Sequence, residues 1–339
     1  MINFLIRHTV VRRMCSVTFL ALVCVAVLVL LPLTGIAGCI DVLICRVRGG
    51  RRGRAAAARF TTFAGAYLVA EIAGLYGMLL LRLRRDSGED AAYALLTRLL
   101  SLLFRTATFA FALRVSPPEQ PLELPDGPLL VFSRHAGPGD SFLLMYALLT
   151  VASRRPRVVL KDMLSFDPMI DVLLSRMPHC YVGRDEHARA EAAEHIGELA
   201  ASLDDGDALL LFPEGRNFTT ARRKRLISRL RHQRKWRDLP TAEALDHVLP
   251  ARPTGVFAAV DAAPPRSEIV FVAHTGLDSL QTLADTWRAI PLDRPVQLIW
   301  WAVPVTEVPT GDEARLTWLK EQWTRVDTWL DDHDECTPR

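Results

Sequence analysis

The run from Cys15 to Ile40 constrains this chain most, because it contains no charged side chain. A helix of about 20 apolar residues crosses a hydrocarbon core of about 30 Å, so this run is long enough to span a membrane. The alternative is a signal peptide, with arginines at positions 7, 12 and 13 in front and a lipoprotein-type cleavage box ending at Cys39. The apolar region of a signal peptide is usually about 7–15 residues long, which is shorter than this run. We therefore expect a membrane helix with a kink at Pro32.

A second apolar stretch extends from Phe60 to Leu81 and is interrupted by Glu71. A lone carboxylate in mid-membrane is costly, so either Glu71 packs against a partner or this segment lies partly in the interface. Arginines flank both apolar segments on every side, so the positive charge of the flanks does not decide the topology. A re-entrant or hairpin arrangement with all the arginines in the cytoplasm is one solution. We predict that residues 1–90 anchor the chain in a membrane, with the rest on the cytoplasmic face.

Between Ala94 and Leu113, polar side chains recur at steps of three and four residues on an otherwise apolar segment. They are Thr97, Arg98, Ser101, Arg105 and Thr108. This spacing places them on one stripe of a helix. Such a stripe is typical of a helix that lies in the membrane surface, and the alternative is an ordinary amphipathic helix of a globular domain. We predict an interfacial helix over residues 91–116.

The rest of the chain alternates short apolar runs of strand type with helical segments. Strands are predicted at 127–132, 157–161, 180–183, 208–212, 269–273 and 296–303, and helices at 141–149, 186–203 and 313–330. Strands that alternate with helices imply a largely parallel sheet with helices on both faces. We therefore predict an α/β fold, with the N-terminal membrane helices followed by a catalytic domain over residues 117–310. Residues 311–339 form a C-terminal helix and tail.

Composition excludes several classes of protein. The six cysteines contain no Cys-x-x-Cys pair and the histidines do not cluster at metal-ligand spacing, so we expect neither a disulfide framework nor a metal site. The net charge is only +3 and no nucleic-acid-binding motif is present, so nucleic acid is not an expected partner. The basic segment Arg222–Arg237 is interleaved with apolar residues such as Trp236. It is either a solvated face or a surface for anionic membrane lipids.

The most informative polar residues are His135 and Asp140, which lie between a strand-type run and a helical run in Ser133-Arg134-His135-Ala136-Gly137-Pro138-Gly139-Asp140. Ligands of open α/β sheets bind at the loops after the carboxyl ends of strands. Histidine takes up a proton near neutral pH, and a carboxylate on its second ring nitrogen fixes the tautomer. We interpret the pair as a general base and its orienting group.

A second strand-type run ends in Phe212-Pro213-Glu214-Gly215-Arg216. Together with His135-x4-Asp140, this resembles the glycerolipid acyltransferase family of the lysophosphatidate acyltransferase type. The family's middle motif is similar to Pro178-His179-Cys180-Tyr181-Val182-Gly183-Arg184, with proline in place of a leading glycine. Lys161 resembles the lysine block that precedes that motif. The resemblance covers about residues 95 to 305.

The resemblance implies transfer of a fatty acyl group from a thioester, acyl-CoA or acyl carrier protein, to the free hydroxyl of a lysophospholipid. No cofactor is implied beyond that co-substrate. His135 and Asp140 take the catalytic positions of the family, and the substrate-binding positions are Glu214, Gly215, Arg216, Arg184 and Lys161. Because a thioester is already activated, the protein needs to deprotonate the hydroxyl and hold both partners, and no covalent intermediate is required.

One departure affects the acceptor. Many relatives have an arginine where this chain has Asn217, and the branch that resembles lysocardiolipin acyltransferases also places a different polar residue there. Leu249-Pro250-Ala251-Arg252-Pro253-Thr254-Gly255 is similar to the fourth motif of that branch. Lysophosphatidate is the expected acceptor, and another lysophospholipid or glycerol-3-phosphate is the alternative. A second alternative is a non-catalytic, lipid-binding membrane protein. Within the enzyme, a ping-pong route through Cys180 competes with direct transfer.

Overall fold

The computed structural model describes residues 9–47, 55–85, 88–117, 124–183, 186–278 and 280–334. The helices in these ranges are α1 (Thr9–Val47), α2 (Ala56–Leu83), α3 (Glu89–Phe111), α4 (Pro138–Thr150), α5 (Pro168–Leu174), α6 (Glu186–Ala201), α7 (Thr220–His232), α8 (Leu239–Ala244), α9 (Pro253–Ala262), α10 (Leu283–Ala289) and α11 (Asp312–Asp334). The strands are β1 (Leu129–Ser133), β2 (Arg155–Lys161), β3 (His179–Val182), β4 (Asp207–Leu211), β5 (Glu268–Thr275) and β6 (Gln297–Pro304). Two short 3₁₀ helices occupy Asp162–Phe166 and Val305–Glu307.

The chain divides into two compact units. The first unit combines Met1–Val115 with two insertions, Leu160–Pro178 and Thr282–Pro295. The second unit consists of Ser116–Val159, His179–Gln281 and Val296–Arg339. The first unit is helical, and the second contains the sheet.

Three helices of the first unit are long and apolar enough to cross a membrane, and they cover Val11–Ile40, Ala56–Leu83 and Glu89–Phe111. The first two contain the predicted apolar segments 15–40 and 60–81. Pro32 lies inside α1, which continues past it as one helix. The third, α3, is the segment for which the sequence predicts an interfacial helix. Its placement in the membrane surface stays a prediction.

Glu71 has a partner, as the first of the two alternatives for its segment requires, and the position of the segment in a membrane stays a prediction. Its side chain is buried, and its Oε2 accepts a hydrogen bond from the backbone N–H of Met169 in α5 at 3.1 Å. One turn earlier on α2, the Tyr67 hydroxyl donates to Asp167, which caps α5. A carboxylate on an apolar helix is tolerated when other protein groups satisfy it.

The sheet of the second unit has the strand order β3-β2-β4-β1-β5-β6. The pairs β1 with β4, β1 with β5, and β2 with β4 are parallel, whereas β6 runs antiparallel to its neighbour β5. The predicted α/β class with a largely parallel sheet is confirmed. Each strand begins and ends within two residues of its predicted bounds.

Both faces of the central strands are covered, as expected for a parallel sheet. Every residue of β1 and β4 is buried. Leu130 and Phe132 point into a core that α6, α9 and α11 share, whereas the alternate residues Leu129 and Val131 are buried on the other face. The C-terminal helix α11 closes this core with Trp323, which is 1% exposed.

Candidate active site

The corner between β1 and α4 brings His135 and Asp140 together. Nδ1 of His135 lies 3.1 Å from Oδ1 and 3.2 Å from Oδ2 of Asp140. Pro138 begins α4, a position at which proline is favoured because its missing N–H has no partner there anyway. Asp140 therefore sits on the first helical turn and reaches back toward His135. Gly137 allows a close approach of two loops, since a Cβ there would make a tight contact of 3.2 Å with the backbone oxygen of Leu280.

Asp140 is fully buried, yet it is surrounded by donors. Its Oδ2 accepts from the backbone N–H groups of Ala136 at 2.6 Å and Gly137 at 3.0 Å. Burial alone would raise the pKa of Asp140, but the hydrogen bond and charge of His135, the nearby His274 and the Gly137 N–H outweigh it. The pKa of this carboxyl is therefore lowered below its ordinary value of 3.8. Asp140 is ionised at neutral pH and holds His135 in the tautomer with the proton on Nδ1.

His274, at the end of β5, lies behind the pair. Its Nε2 is 3.3 Å from the backbone oxygen of Arg134 and 3.8 Å from Oδ2 of Asp140. Burial lowers the pKa of His274 to about 4, so it is neutral near pH 7. A neutral imidazole placed here donates its Nε2 proton toward Arg134 and Asp140. The sequence offers no motif that singles out this histidine.

Glu214 links two loops through backbone hydrogen bonds. Its Oε1 accepts from the N–H of His135 at 2.7 Å, and its Oε2 accepts from the N–H of Leu249 at 2.8 Å. The side chain is 1% exposed, and burial raises its pKa to about 8 despite these two donors. Its carboxyl group is directed inward, at the loops that carry His135 and Leu249. Glu214 thus joins two loops in this structure, and its predicted role in binding substrate stays a prediction.

The second ring nitrogen of His135, Nε2, has no hydrogen-bond partner among the described residues. Its ring packs against Phe212 at 4.5 Å between centroids, and its backbone oxygen accepts from the N–H of Phe218 at 2.6 Å. The side chain is 13% exposed. Because Nδ1 faces Asp140, Nε2 is the nitrogen that can take a proton from a bound hydroxyl, and no described group bonds to it.

Arginines gather beside the turn that follows β4. Gly215 has a φ of 67°, and a Cβ on it would lie 3.0 Å from Cζ of Arg252. Arg216 is exposed and acts electrostatically on both Arg252 and Arg222. Arg222 donates to the side chain and backbone oxygens of Asn217, so Asn217 fixes a neighbouring arginine. Within the described ranges, no carboxylate pairs with Arg216 or Arg252.

Comparison with known proteins now identifies the domain. Residues 114–265 match the family model described as acyltransferase. This match makes the region from residue 114 to residue 265 similar to acyltransferases. The solved structure of the 1-acyl-sn-glycerophosphate (LPA) acyltransferase PlsC from Thermotoga maritima has the same fold, with a TM-score of 0.51 at 16% identity. The match covers 80% of this chain and 97% of that chain. Among curated proteins, no sequence matches significantly.

Lys161 and Arg184 were predicted to bind substrate, and Cys180 was the nucleophile of the competing ping-pong route. Lys161 ends β2 and belongs to the first unit, and its side chain is exposed. Arg184 lies outside the described residues. Cys180 is buried in β3 and its Sγ faces the backbone oxygens of Tyr181 and Ala192. Burial raises the pKa of the Cys180 thiol to about 11, so it stays protonated and is a poor nucleophile.

The structure also adds residues of the acyltransferase that the sequence did not assign. The main one is Arg252. The sequence feature that could have pointed to it is the similarity of Leu249–Gly255 to the fourth family motif. Arg134 is another: it is buried, and its Nη2 pairs with Asp278 at 2.5 Å while its Nη1 donates to the backbone oxygen of His274 at 2.8 Å. It fastens the loop after β5 to the loop after β1. No group of three His, Cys, Asp or Glu among the described residues could hold a metal ion.

Proposed function

We propose that this acyltransferase is membrane-bound and transfers a fatty acyl group from acyl-CoA or acyl carrier protein to lysophosphatidate, giving phosphatidate. The observation that carries the proposal is the His135–Asp140 pair, in which Nε2 of His135 bonds to no described group. The turn after β4 in the same domain carries Arg216, beside Arg252, and neither arginine pairs with a described carboxylate. A base and a phosphate-binding group in one domain suit an acceptor that has both a hydroxyl and a phosphate.

The reaction needs one proton transfer in each direction. Nε2 of His135 takes the proton from the acceptor hydroxyl as its oxygen attacks the carbonyl carbon of the thioester. The new carbon–oxygen bond forms, the carbon–sulfur bond breaks, and the thiolate takes the proton back from the imidazolium. Asp140 stabilises the imidazolium during the transfer. No acyl group is carried by the protein.

The phosphate of the acceptor is assigned to arginine side chains. Guanidinium groups bind phosphate through two parallel hydrogen bonds, which gives orientation as well as charge. Arg216 is exposed at the turn after β4 and has no described carboxylate partner. Arg184 and Lys161 are proposed partners for substrate on the family resemblance alone.

The membrane setting is proposed from the first unit and from one surface of the second. Three apolar helices hold the chain at the membrane, with the catalytic domain on the cytoplasmic face. The exposed cations of α7 face anionic lipids. Trp236, which is 60% exposed, adds an aromatic contact with the membrane surface. The apolar side of α7 is turned inward, because Leu230 is buried. This surface therefore acts by charge, and its contribution falls as salt rises.

A second acceptor is favoured by one observation. Asn217, which stands where many relatives have arginine, binds Arg222 and not a free anion. The phosphate pocket therefore differs from the common pattern, and another lysophospholipid or glycerol-3-phosphate is the competing acceptor.

The test is an assay of membranes that contain the full chain, with labelled acyl-CoA or acyl carrier protein and a panel of acceptors. The panel holds lysophosphatidate, other lysophospholipids and glycerol-3-phosphate, and membranes with His135→Ala serve as the matched control. We expect the highest kcat/KM with lysophosphatidate. A higher kcat/KM with another acceptor would make that acceptor the substrate. Equal incorporation of label in the His135→Ala membranes would refute the proposed acyltransferase activity.

A further inference from the structure

Arg252 is held against the Phe-Pro-Glu-Gly turn by backbone geometry. Its own N–H donates to the backbone oxygen of Pro213 at 2.9 Å. Its guanidinium covers Gly215, where any Cβ would meet Cζ at 3.0 Å and Nε and Nη1 at 3.1 Å. The positive φ of Gly215 also disfavours other residues there. The glycine thus leaves room for this arginine.

Arg252 is open to a ligand, and its charge meets no described carboxylate. Partial burial of the guanidinium and the like charges of Arg189 and Arg216 lower its pKa. Other arginines of the second unit are paired: Arg157 binds Asp207 at 2.6 Å, and Arg315 binds Asp261. A cation held beside like charges is stabilised when an anion binds it.

The loop that carries Arg252 is fastened to the C-terminal helix α11. Asp327, which is buried, accepts hydrogen bonds from three successive backbone N–H groups: Asp246 at 3.0 Å, His247 at 2.7 Å and Val248 at 3.1 Å. Nε1–H of Trp323 donates to the backbone oxygen of Leu249 at 2.9 Å. Four hydrogen bonds from one helix therefore fix the segment that leads to Arg252.

The same segment is connected to the catalytic base. Glu214 receives the N–H of His135 on one oxygen and the N–H of Leu249 on the other. Arg252 follows Leu249 by three residues along the chain. One carboxyl group therefore sets the spacing between the loop of the base and the loop of the arginine.

We propose that Arg252 binds a phosphate group of a substrate beside Arg216, and that Asp327 and Trp323 position it from α11. The inference rests on the proposed function, because it gives this site a phosphate-bearing substrate. Lysophosphatidate supplies one phosphate and the CoA part of the donor supplies others. Arg252 is the binding residue, and the two α11 side chains are positioning residues.

The first experiment compares Arg252→Gln with wild type on lysophosphatidate and on monoacylglycerol, which has the hydroxyl without the phosphate. Loss of a charged hydrogen bond raises the KM for lysophosphatidate about tenfold or more and leaves the rate with monoacylglycerol unchanged. Arg266→Gln is the control, because Arg266 precedes β5 at the opposite end of the sheet and pairs with Asp205 at 2.8 Å. No change with either acceptor overturns the proposal. An equal loss on both acceptors overturns it unless the KM for acyl-CoA has risen, which the next comparison measures.

A second arm separates the two sources of phosphate. If the KM for acyl-CoA rises in Arg252→Gln and that for an acyl N-acetylcysteamine thioester does not, the phosphate belongs to CoA. If only the lysophosphatidate KM rises, it belongs to the acceptor. Both results support a phosphate site, and a loss that persists when neither substrate carries phosphate overturns it.

The positioning role is tested with Asp327→Asn and with the double variant Asp327→Asn/Arg252→Gln. Asparagine has one acceptor oxygen for three N–H groups, so the loop loosens. We expect a severalfold rise in the lysophosphatidate KM with kcat nearly unchanged, and a double variant no worse than Arg252→Gln alone. Losses that add to those of Arg252→Gln, or equal losses with monoacylglycerol while the KM for acyl-CoA is unchanged, mean that Asp327 serves only stability.

A binding experiment distinguishes failure of the proposed function from failure of the phosphate site. Detergent-solubilised His135→Ala protein keeps Arg252, and retention of lysophosphatidate against monoacylglycerol is measured with and without Arg252→Gln. Preferential retention that Arg252→Gln abolishes supports the phosphate site even if another acceptor is turned over. Equal retention of both lipids, together with an unchanged KM for acyl-CoA in Arg252→Gln, overturns it.

Discussion

Two corners at the carboxyl edge of the sheet in this acyltransferase are built in opposite ways. In the corner after β1, Asp140 is fully buried and accepts from His135, Ala136 and Gly137, so the base that we propose has its partners within the chain. In the corner after β4, Arg216 and Arg252 gather positive charge without a described carboxylate. The first corner is complete before substrate arrives, and in our proposal an anion completes the second.

The difference follows from what each corner must do. A proton transfer is fast when donors and acceptors are already oriented, because no reorganisation is needed at the moment of reaction. A binding site for an anion gains most when its cations are not already neutralised by internal carboxylates. Glu214 joins the two corners, since it holds the N–H of His135 and the N–H of Leu249. Breaking each corner separately should therefore affect different kinetic constants.

The largest effect is expected when the complete corner loses its base. His135→Ala should lower kcat by about 10²–10⁴-fold, the contribution of a positioned general base, while binding of acyl-CoA stays nearly intact. Asp140→Asn should also lose activity, because the amide can turn an N–H toward Nδ1 and select the wrong tautomer. Single-turnover assays with labelled acyl-CoA measure the rate, and equilibrium binding measures the donor. An His135→Ala enzyme with wild-type kcat would contradict the mechanism.

The next effect comes from the residue that joins the corners. Glu214→Ala leaves the N–H groups of His135 and Leu249 buried without an acceptor, at about 1–3 kcal/mol each. Thermal inactivation of the solubilised protein should therefore begin at a markedly lower temperature. Retained stability and retained activity together would mean that water or another group replaces the carboxyl group.

The pH dependence of stability sharpens the same point. Burial raises the pKa of Glu214 from 4.5 to about 8, so between these values the folded state keeps a proton that the unfolded state releases. Its contribution to stability is therefore full below pH 4.5 and declines as the pH rises to about 8. We expect wild type to lose more stability than Glu214→Gln across this window, measured as the shift in Tm. Equal shifts in both proteins would assign the pH dependence to other groups.

A smaller effect is expected when the open corner loses a cation. Arg216→Gln should raise the KM for lysophosphatidate about tenfold and leave the KM for acyl-CoA and kcat nearly unchanged, because the phosphate is bound in ground and transition states alike. Steady-state kinetics in mixed micelles separate these constants. A change in kcat alone would mean that Arg216 acts in the chemical step, and would contradict the assignment of binding to the corner after β4.

The smallest effect is expected at Cys180, which belongs to neither corner. Cys180→Ala should keep most of the rate, because the thiol is buried in β3 and its pKa is raised to about 11. The competing ping-pong route predicts a burst of free CoA before any acceptor is added. A labelled acyl group trapped on wild type and lost in Cys180→Ala would overturn direct transfer.

The local pattern of the sequence was enough for the fold class and for the first corner. The apolar runs at 127–132 and 208–212 predict strands, and β1 and β4 lie there. His135 and Asp140 are five positions apart at the start of a helix, so their contact is decided by local backbone geometry. Family motifs then placed Glu214, Gly215 and Arg216 at the end of another strand.

Contacts between residues far apart in the chain could not be predicted from the sequence. The roles of Arg252, His274 and Asp327 depend on which loops meet at the carboxyl edge of the sheet, and that is decided by strand order and by the docking of α11. Glu214 shows this most clearly, because its motif did not reveal that its carboxyl group accepts from the backbone N–H groups of His135 and Leu249.

The sequence by itself determined the long apolar helices, the alternation of strands and helices, and the residue types at the two strand ends, because each depends on neighbours within a few positions. Only the tertiary structure decided that the base is enclosed and the arginines are open. Burial and the pairing of charges depend on residues such as Leu249 and Asp327 that folding brings from far along the chain.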